Sequence, residues 1–498
     1  MTTEDKSTEI NVYKIINELE QKFPVDSIQL SDGTKIWNLL RIILFYYPQQ
    51  RNIESFKSQI RSRLNLIAES LTSLKYPQHN DYCGFSHSDC RRLRNGKYYD
   101  IYMDPLYKIV GDKLTVFEWP DEQGYRRKYH NNIYSKSYVK MHFPIFSKAF
   151  WNILLYRVFR KKQYEISGED ILEKIITSLS KKYKTDEKRL RKNVNESIAV
   201  FVVVKKFLKK ILKKIRPKAV FIRCGYGRFH MALSQACREL NIPSIELQHG
   251  MITDFPKYHP GYVKTNKSKT KDCVPEYLFT YGDYFTKIVK KGNLLDPEKV
   301  ITIGFLHLED IKSKLLQIDE KTLQFQKKYS KTILFTPEYS QHLAPLVETF
   351  TKDLTKKISE KKIDVGIVFK PHPLDKKDWS YLEKLQNIHV VDRHQDTYEL
   401  IKISNVHSTI YSTCALEALA FNVPNIIVDL GAGSIADIID MMDNEATFIA
   451  KDVNEYMEKL KMIFSNYKKY SEKAFEKSRE YFEYDALSNI KNFMDRIR

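Results

Sequence analysis

The pattern of apolar and polar positions changes character near residue 219. From there onward, short apolar runs typical of buried strands alternate with amphipathic stretches typical of helices. This alternation predicts βαβ units and parallel sheets. The predicted strands are 219–223, 244–248, 277–281, 300–305, 332–336, 365–370, 390–392, 405–407, 425–429 and 447–450. The predicted helices are 229–240, 284–291, 343–360, 397–403, 413–421 and 453–464.

The region before residue 219 has a different pattern. Residues 1–75 are predicted to be helical, with an apolar stripe at 36–46, and 165–218 are also predicted to be helical. Between them, 82–144 is aromatic and irregular, with short strands expected at 99–103 and 114–119. A chain of 498 residues exceeds one hydrophobic core. The predicted domains are a helical segment (1–75), two doubly wound α/β domains (76–290 and 291–465) and terminal helices packing back on the core (466–498).

Composition narrows the classes of protein. The formal charge of +20 favours an anionic partner. The charge alone does not decide whether that partner is a nucleotide, an anionic glycan, a lipid headgroup or nucleic acid. A general compositional bias explains the charge equally well. The six cysteines form no CxxC pair and have no histidine at zinc-ligand spacing, which predicts reduced, structural thiols. The N-terminus lacks a signal-peptide core and no apolar run spans a bilayer, so a cytoplasmic location is expected.

The first candidate motif is Lys370-Pro371-His372-Pro373, which directly follows the apolar run 365–369. The two prolines restrict the backbone, so the loop can orient the imidazole. Lys370 and His372 would stabilise negative charge on a departing nucleotide. The alternative is a rigid strand-to-helix turn whose histidine makes only local bonds.

The second motif places Ser408, Thr409, Ser412 and Thr413 before a helix that carries Glu417. Hydroxyls at a helix N-terminus can cap the helix and hold phosphate. Glu417 can accept hydrogen bonds from a ribose diol, or it can merely complement the helix dipole. Thr336 and Glu338, which end another predicted strand, are expected by position to shape the base pocket.

The third motif, Gln248-His249-Gly250, ends a predicted strand of the first domain. His249 can take a proton from an acceptor hydroxyl, or it can hold the loop through its ring nitrogens. Glu246 and Asp254 are alternative bases, as is Asp89. The sequence does not choose among them.

These motifs carry a family resemblance. The pair Phe-Lys-Pro-His-Pro and Ser-Thr-x-x-Ser-Thr-x-x-Leu-Glu resembles the C-terminal half of GT-B glycosyltransferases that build bacterial capsules and surface polysaccharides, and Gln-His-Gly resembles an element of the same group. The group includes capsular Kdo transferases, His-Pro-motif sialyltransferases and teichoic-acid glycerophosphotransferases. The resemblance implies a GT-B-like α/β fold, with two doubly wound Rossmann-type domains facing a cleft and N-terminal helical additions. It also implies a nucleotide held by residues of the first two motifs, namely Lys370, His372, Ser408, Thr409, Ser412, Thr413 and Glu417.

The expected function is transfer of a sugar, or a related polyol phosphate, from a CMP-, CDP- or UDP-linked donor to a surface-polysaccharide or lipid-linked acceptor. No cofactor or metal is expected, because no Asp-x-Asp follows a strand in a way suited to Mg²⁺. One alternative is a nucleotide-sugar 2-epimerase of the same architecture. Another is a non-catalytic protein that binds anionic glycan or nucleic acid. No nucleic-acid partner is expected, because aromatic residues are not interleaved with the basic runs.

The most basic stretch, 205–218, repeats two cations and two apolar residues. Its predicted polar face consists of Lys205, Lys206, Lys209, Lys210, Lys213 and Lys214. A helix of this kind either covers a sheet with its apolar face or rests on anionic lipid. The second reading predicts peripheral contact with the inner face of the cell membrane.

Overall fold

The computed structural model describes residues 14–47, 79–94, 96–119, 129–130, 132–141, 164–252, 268–312, 318–338, 343–373, 375, 377–431 and 445–497. The chain divides into two compact units. The N-terminal unit comprises Ser7–Arg91, Lys97–Gly304 and Asp485–Arg498, and the C-terminal unit comprises Phe305–Tyr484 together with Arg92–Gly96. Among the described residues, no helix is both long and apolar enough to cross a membrane.

The N-terminal unit is built on a sheet of seven parallel strands. Their spatial order is β11 (Val300–Thr302), β10 (Tyr277–Thr280), β9 (Ser244–Leu247), β8 (Ala219–Ile222), β2 (Tyr82–His87), β5 (Leu114–Trp119) and β6 (Tyr138–Lys140). Parallel strands are covered on both faces, which explains why β8 and β9 are buried along their whole length.

Among the described residues of this unit, the helices are Trp37–Tyr46, Met103–Val110, Glu169–Tyr183, Glu187–Ile215, Arg228–Glu239, Asp283–Lys290 and Ala486–Arg496, and residues 14–22 are helical as well. Two small sheets complete it: β1 (Gln29–Leu30) pairs antiparallel with β7 (Ile166–Ser167), and β3 (Arg91–Arg94) pairs with β4 (Lys97–Asp100). Short 3₁₀ turns occupy Val25–Ser27, Ser88–Cys90, Gly111–Lys113 and Pro297–Lys299.

Strand β2 lies in the middle of this sheet, although the sequence predicted irregular structure there. Its polar residues Ser86 and His87 are buried, and they interrupt the apolar run that a central strand usually shows. Gly84 allows close packing, since a Cβ there would lie 2.6 Å from the sulfur of Met103. The predicted strand at 114–119 is confirmed. The one at 99–103 is displaced: β4 covers 97–100 and ends at Asp100, whose side chain accepts the backbone N–H groups of Tyr102 and Met103 at the start of the next helix.

The helix Glu187–Ile215 contains the basic stretch, but Lys205 does not belong to its solvent face. Its ammonium is buried and contacts Asp32 at 2.5 Å, Glu239 at 2.8 Å and the Thr34 hydroxyl at 2.9 Å. Burial opposes the charge, yet the bonds to Asp32 and Glu239 raise the pKa of Lys205 above its ordinary value. The lysines that do face solvent are Lys206, Lys210, Lys213 and Lys214.

The C-terminal unit is built on six parallel strands, and all the strands predicted for it are present. Their order is β14 (Ile388–Val390), β13 (Val365–Phe369), β12 (Lys331–Phe335), β15 (Val406–Thr409), β16 (Asn425–Val428) and β17 (Thr447–Ala450). Its helices are Leu306–Lys312, Glu320–Lys327, Ala344–Glu360, Thr397–Lys402, Cys414–Ala420, Val453–Ser465 and Tyr467–Tyr481, with a 3₁₀ turn at Ser380–Lys384.

Two predicted boundaries shift. The first unit continues to Gly304 rather than ending at 290, because β11 pairs with β10 in its sheet. The terminal helices divide: Tyr467–Tyr481 belongs to the C-terminal unit, whereas Ala486–Arg496 belongs to the N-terminal unit, where Phe493 packs on Tyr277 and Phe279.

Candidate active site

Three neighbouring strands of the C-terminal unit end at the same edge of the sheet. Phe335 at the end of β12 is in register with Phe369 of β13 and with Ser408 of β15. The loops that follow therefore start side by side, and they carry most of the predicted nucleotide-binding residues. Ligands of open parallel sheets bind at this edge.

Lys370 is almost fully buried at the end of β13. Its ammonium donates to the carbonyl oxygen of Arg393 at 3.2 Å and lies 3.5 Å from that of Pro371. Burial lowers the pKa of Lys370 to about 8. Among the described residues no carboxylate forms an ion pair with it, so the cation can still serve an anionic ligand.

His372 is half-buried in the same loop. Burial, and next the charge of Lys370, lower the pKa of His372 to about 4, so the imidazole is neutral at pH 7. The loop is fixed by Asp375, which donates its N–H to the His372 carbonyl at 2.9 Å and accepts the Trp379 indole N–H at 2.8 Å. His372 is thereby presented as a hydrogen-bonding group rather than a charge.

Ser408 and Thr409 do not reach a ligand position. Both are buried strand residues: the Ser408 hydroxyl lies 2.6 Å from that of Tyr456, and the Thr409 hydroxyl donates to the Thr336 carbonyl at 2.7 Å. The prediction that these hydroxyls bind nucleotide is corrected accordingly, because β15 extends through Thr409 and holds both side chains in the core.

A buried network joins β12, β15 and β16. The Nε2 atom of His407 is 2.8 Å from the Thr336 hydroxyl, and its Nδ1 atom is 2.8 Å from the Asn425 side-chain oxygen. Asn425 donates in turn to the carbonyl of Ala415 at 2.8 Å. Burial lowers the pKa of His407 to about 4, so a neutral imidazole connects the strands and fixes the start of the helix at Cys414. The Thr336 hydroxyl is thus engaged in this network.

Ser412 and Thr413 precede that helix and remain partly exposed. The Ser412 hydroxyl accepts the backbone N–H of Cys414 at 3.3 Å, whereas Thr413 makes no side-chain cap. Their predicted role as phosphate ligands stays a prediction.

Glu417 is buried and incompletely bonded. One carboxylate oxygen accepts the Tyr398 hydroxyl at 3.2 Å, and the other has no hydrogen-bond partner among the described residues. Burial raises the pKa of Glu417 to about 7. A buried oxygen without a donor is costly, which suits a site where a ligand hydroxyl completes the bonding.

The thiol of Cys414 shows that these groups lie together. Burial raises the pKa of Cys414, the charges of Glu417 and Glu338 add to that effect, and the charge of Lys370 opposes it. Lys370, Glu338 and Glu417 are therefore within electrostatic range of one atom.

In the N-terminal unit, His249 follows β9 and has a polar neighbour beside each ring nitrogen, but only the tyrosine is within hydrogen-bond distance. Its Nε2 atom is 3.1 Å from the Tyr226 hydroxyl, and its Nδ1 atom is 3.7 Å from a carboxylate oxygen of Glu246. Glu246 is fully buried beneath Gly225, where a Cβ would approach its carboxylate to 2.1 Å. Glu246 is thus placed to orient His249. Asp254 and the Asp89 side chain lie outside what the structure describes.

Two further histidines were not predicted from the sequence. His87 ends β2, and its Nε2 atom lies 3.0 Å from that of His230, with the rings stacked at 4.8 Å. Burial, followed by the charges of Arg223 and His249, lowers the pKa of His87 well below its ordinary value. One nitrogen must donate and the other accept, so this pair cannot be doubly protonated at that contact. Recognising β2 as a strand would have placed His87 at the functional edge.

The described residues contain no group of three or more His, Cys, Asp or Glu side chains that could hold a metal ion. Metal independence nevertheless stays a prediction about the reaction.

Two parallel sheets, each flanked by helices, define a protein of the α/β class with two units. The profile of the CDP-glycerol:poly(glycerophosphate) glycerophosphotransferase family matches residues 141–498, and the chain belongs to this family. The prediction of a transferase that uses a nucleotide-activated donor in surface-polymer synthesis is confirmed. Within that prediction, the family favours transfer of a polyol phosphate.

Solved structures support the fold. The structure of MnaA from S. aureus with UDP has a TM-score of 0.51 at 13% identity and covers 84% of this chain and 96% of that one. A putative UDP-N-acetylglucosamine 2-epimerase from Listeria monocytogenes has a TM-score of 0.50 at 11% identity, covering 84% and 95%. The wall teichoic acid polymerase TagF also matches, with a TM-score of 0.47, 14% identity and coverage of 90% and 98%. The first two confirm the predicted GT-B-like fold class. A search of curated proteins gave no match.

Proposed function

We propose that this protein transfers glycerol phosphate from CDP-glycerol to the hydroxyl end of a surface polymer of the poly(glycerol phosphate) type. The observation that carries the proposal is that the loops bearing Lys370 and Glu338 start side by side at one strand edge, next to the segment that leads to Glu417, in a chain of the glycerophosphotransferase family. A cation for a diphosphate and an incompletely bonded carboxylate for a ribose diol are what a CDP-linked donor requires.

The donor would be held by the loops after β12, β13 and β15. Lys370 supplies charge to the diphosphate, the neutral imidazole of His372 donates a hydrogen bond to it, and Glu417 accepts the ribose hydroxyls. Ser412 and Thr413 add hydroxyls beside the phosphate. Glu338 borders the cytosine, and Thr336 supports that side through His407.

In the reaction, the acceptor hydroxyl oxygen attacks the phosphorus that bears the glycerol. A new P–O bond forms there, the bond from that phosphorus to the oxygen of CMP breaks, and CMP leaves with the electron pair. Lys370 and His372 stabilise the charge that develops on CMP. For the base that takes the proton of the acceptor hydroxyl, His249 stays the candidate that the sequence motif offers, and its Nε2 atom lies 3.1 Å from the Tyr226 hydroxyl. Neither a metal nor a cofactor takes part in this scheme.

The enzyme would work at the cytoplasmic face of the membrane, where polymer acceptors carry lipid anchors. The exposed lysines Lys206, Lys210, Lys213 and Lys214 give the helix Glu187–Ile215 a basic face, and each basic residue near an anionic surface contributes about 1 kcal/mol. Reversing these four charges should abolish binding to phosphatidylglycerol vesicles without changing the midpoint of thermal unfolding. Unchanged vesicle binding would refute membrane attachment through this helix.

Nucleotide selectivity tests the donor assignment. CDP and CMP should raise the midpoint of thermal unfolding, and UDP and an oligonucleotide should raise it less or not at all. Stabilisation by the oligonucleotide alone would favour a nucleic-acid-binding protein. Stabilisation by UDP alone, with interconversion of UDP-linked sugars in the absence of an acceptor, would favour the epimerase alternative.

A further inference from the structure

The segment Arg92–Gly96 belongs to the C-terminal unit, although the residues flanking it in sequence belong to the N-terminal unit. It contains most of strand β3, and we call Arg92–Arg94 the arginine strap. Nothing in the three sequence motifs points to these residues.

Arg94 fixes the strap. Its guanidinium donates to Asp310 at 3.1 Å and to Asp396 at 3.0 Å, and all three side chains are buried. A buried charge is tolerated only when it is paired, so this contact is specific to one placement of the strap. Breaking it would leave two carboxylates without their cation.

The partners of Arg94 lead to the nucleotide site. Asp396 uses its other oxygen to accept the backbone N–H of Tyr398 at 2.9 Å, which caps the helix Thr397–Lys402. Tyr398 in turn donates its hydroxyl to Glu417 at 3.2 Å. The strap is therefore anchored on the helix that supports the proposed ribose carboxylate.

Arg92 lies on the same face of β3 as Arg94, because side chains alternate along a strand. It is half-buried, and its charge acts on the two basic groups of the β13 loop. After burial, it contributes to lowering the pKa of Lys370, and it does the same for His372. The carboxylates of Asp396 and Asp392 act on Lys370 in the opposite sense, and that of Asp375 does so on His372. A phosphate bound there would meet the two cations Arg92 and Lys370.

We propose that Arg92 is a further donor-binding residue, which contacts the diphosphate of the nucleotide-activated donor together with Lys370. Arg94 is a positioning residue that holds Arg92 in place. The inference rests on the proposed nucleotide site and adds a ligand from a distant part of the sequence. Arginine suits this role, since its planar fork donates two parallel hydrogen bonds to phosphate.

The test is calorimetric binding of CDP and of cytidine to the full chain. Arg92→Gln should weaken CDP binding by about tenfold to a hundredfold, the usual range for a charge-assisted hydrogen bond, and leave cytidine binding within about twofold. The CDP affinity of Arg92→Lys should lie between that of Arg92→Gln and that of the wild type. The matched control is Lys97→Gln, an exposed residue of β4, which should change neither affinity.

Arg94→Gln should also weaken CDP binding and leave cytidine binding nearly unchanged, although Arg94 does not itself contact the ligand. The double variant should bind CDP as weakly as Arg92→Gln does, to within about threefold, because both changes remove the same contact between Arg92 and the diphosphate. A purely structural role of Arg94 would instead weaken CDP and cytidine in proportion.

Wild-type CDP affinity in Arg92→Gln would overturn this inference and leave the proposed function standing. Equal loss of CDP and cytidine affinity in Arg92→Gln would also overturn it. A wild-type chain that binds neither CDP nor cytidine would overturn the proposed function and the inference together.

Discussion

The two units share an architecture but carry different side chains where their strands end. In the C-terminal unit, one oxygen of Glu417 has no partner in the described part of the chain, and Lys370 contacts only carbonyl oxygens there. In the N-terminal unit, His249 is held by Tyr226 and lies near Glu246. A carboxylate oxygen without a donor suits a site completed by a ligand, whereas an imidazole beside a tyrosine hydroxyl suits proton transfer. The proposed function therefore assigns donor binding to the one unit and proton transfer to the other.

The largest expected effects come from the two histidines, and they should differ in kind. His249→Ala should lower kcat by about 10²- to 10⁴-fold, as expected for loss of a general base, with CDP affinity unchanged. His372→Ala should lower kcat and also weaken CDP binding, because the proposed function has His372 donate a hydrogen bond to the donor phosphate. Steady-state kinetics combined with calorimetry measures both quantities.

Tyr226→Phe provides the matched control for the first unit. It removes only the hydroxyl next to His249, so its effect on kcat should be much smaller than that of His249→Ala. If His249→Ala weakened CDP binding as strongly as His372→Ala did, the contrast between the units would fail.

Glu417→Gln tests whether the open carboxylate belongs to the donor site. It should weaken CMP binding by about tenfold, because a charged acceptor for the ribose diol becomes neutral. The pKa of Glu417 is raised to about 7, and ribose hydroxyls prefer the ionised form. CMP binding near pH 7 should therefore release protons, which calorimetry in buffers of different ionisation enthalpy detects. Equal proton release by the variant would exclude Glu417 as the source.

The same group makes stability depend on pH. The pKa is higher in the folded than in the unfolded state, so the folded protein binds more protons. This contribution to stability is fully present below the ordinary pKa of a glutamate and is lost as the pH rises through about 7. Glu417→Gln should flatten the dependence of unfolding free energy on pH over that interval, and an unchanged slope would contradict the assignment.

Smaller effects, on the free energy of unfolding, are expected for two kinds of lysine: those that hold the N-terminal unit together and those that face solvent. Lys205→Met leaves Asp32 and Glu239 without their shared cation and should lower the free energy of unfolding by about 1–3 kcal/mol. Lys206→Met, one residue along the same helix, should change it by less than about 0.5 kcal/mol. Chemical denaturation measures both, and similar losses would show that position on the helix does not decide the outcome.

The sequence predicted the C-terminal sheet well because its strands are buried on both faces, so β12, β13 and β16 are rich in apolar residues. The motifs at Lys370 and Glu417 were recognisable for the same reason, since each follows such a strand. The strand Tyr82–His87 was not predicted, because its buried residues include polar ones. The His87–His230 pair was missed for the same reason.

Local patterns also cannot reveal partners that are distant in sequence. Ser408 and Lys205 look like a ligand hydroxyl and a solvent-facing lysine, but Tyr456 and Asp32 bind them internally. Arg94 meets Asp310 and Asp396 across more than two hundred residues, a contact that no spacing rule anticipates.

In the proposed reaction, the enzyme releases CMP from CDP-glycerol while it lengthens a glycerol phosphate polymer. The direct measurement is incubation with CDP-glycerol and a short poly(glycerol phosphate) acceptor, with CMP and polymer length followed together. We expect one CMP for each glycerol phosphate added, dependence of both products on the acceptor, and loss of both products in His372→Ala. Absence of CMP release and polymer growth from the folded wild-type protein would contradict it, as would interconversion of UDP-linked sugars without acceptor as its only activity.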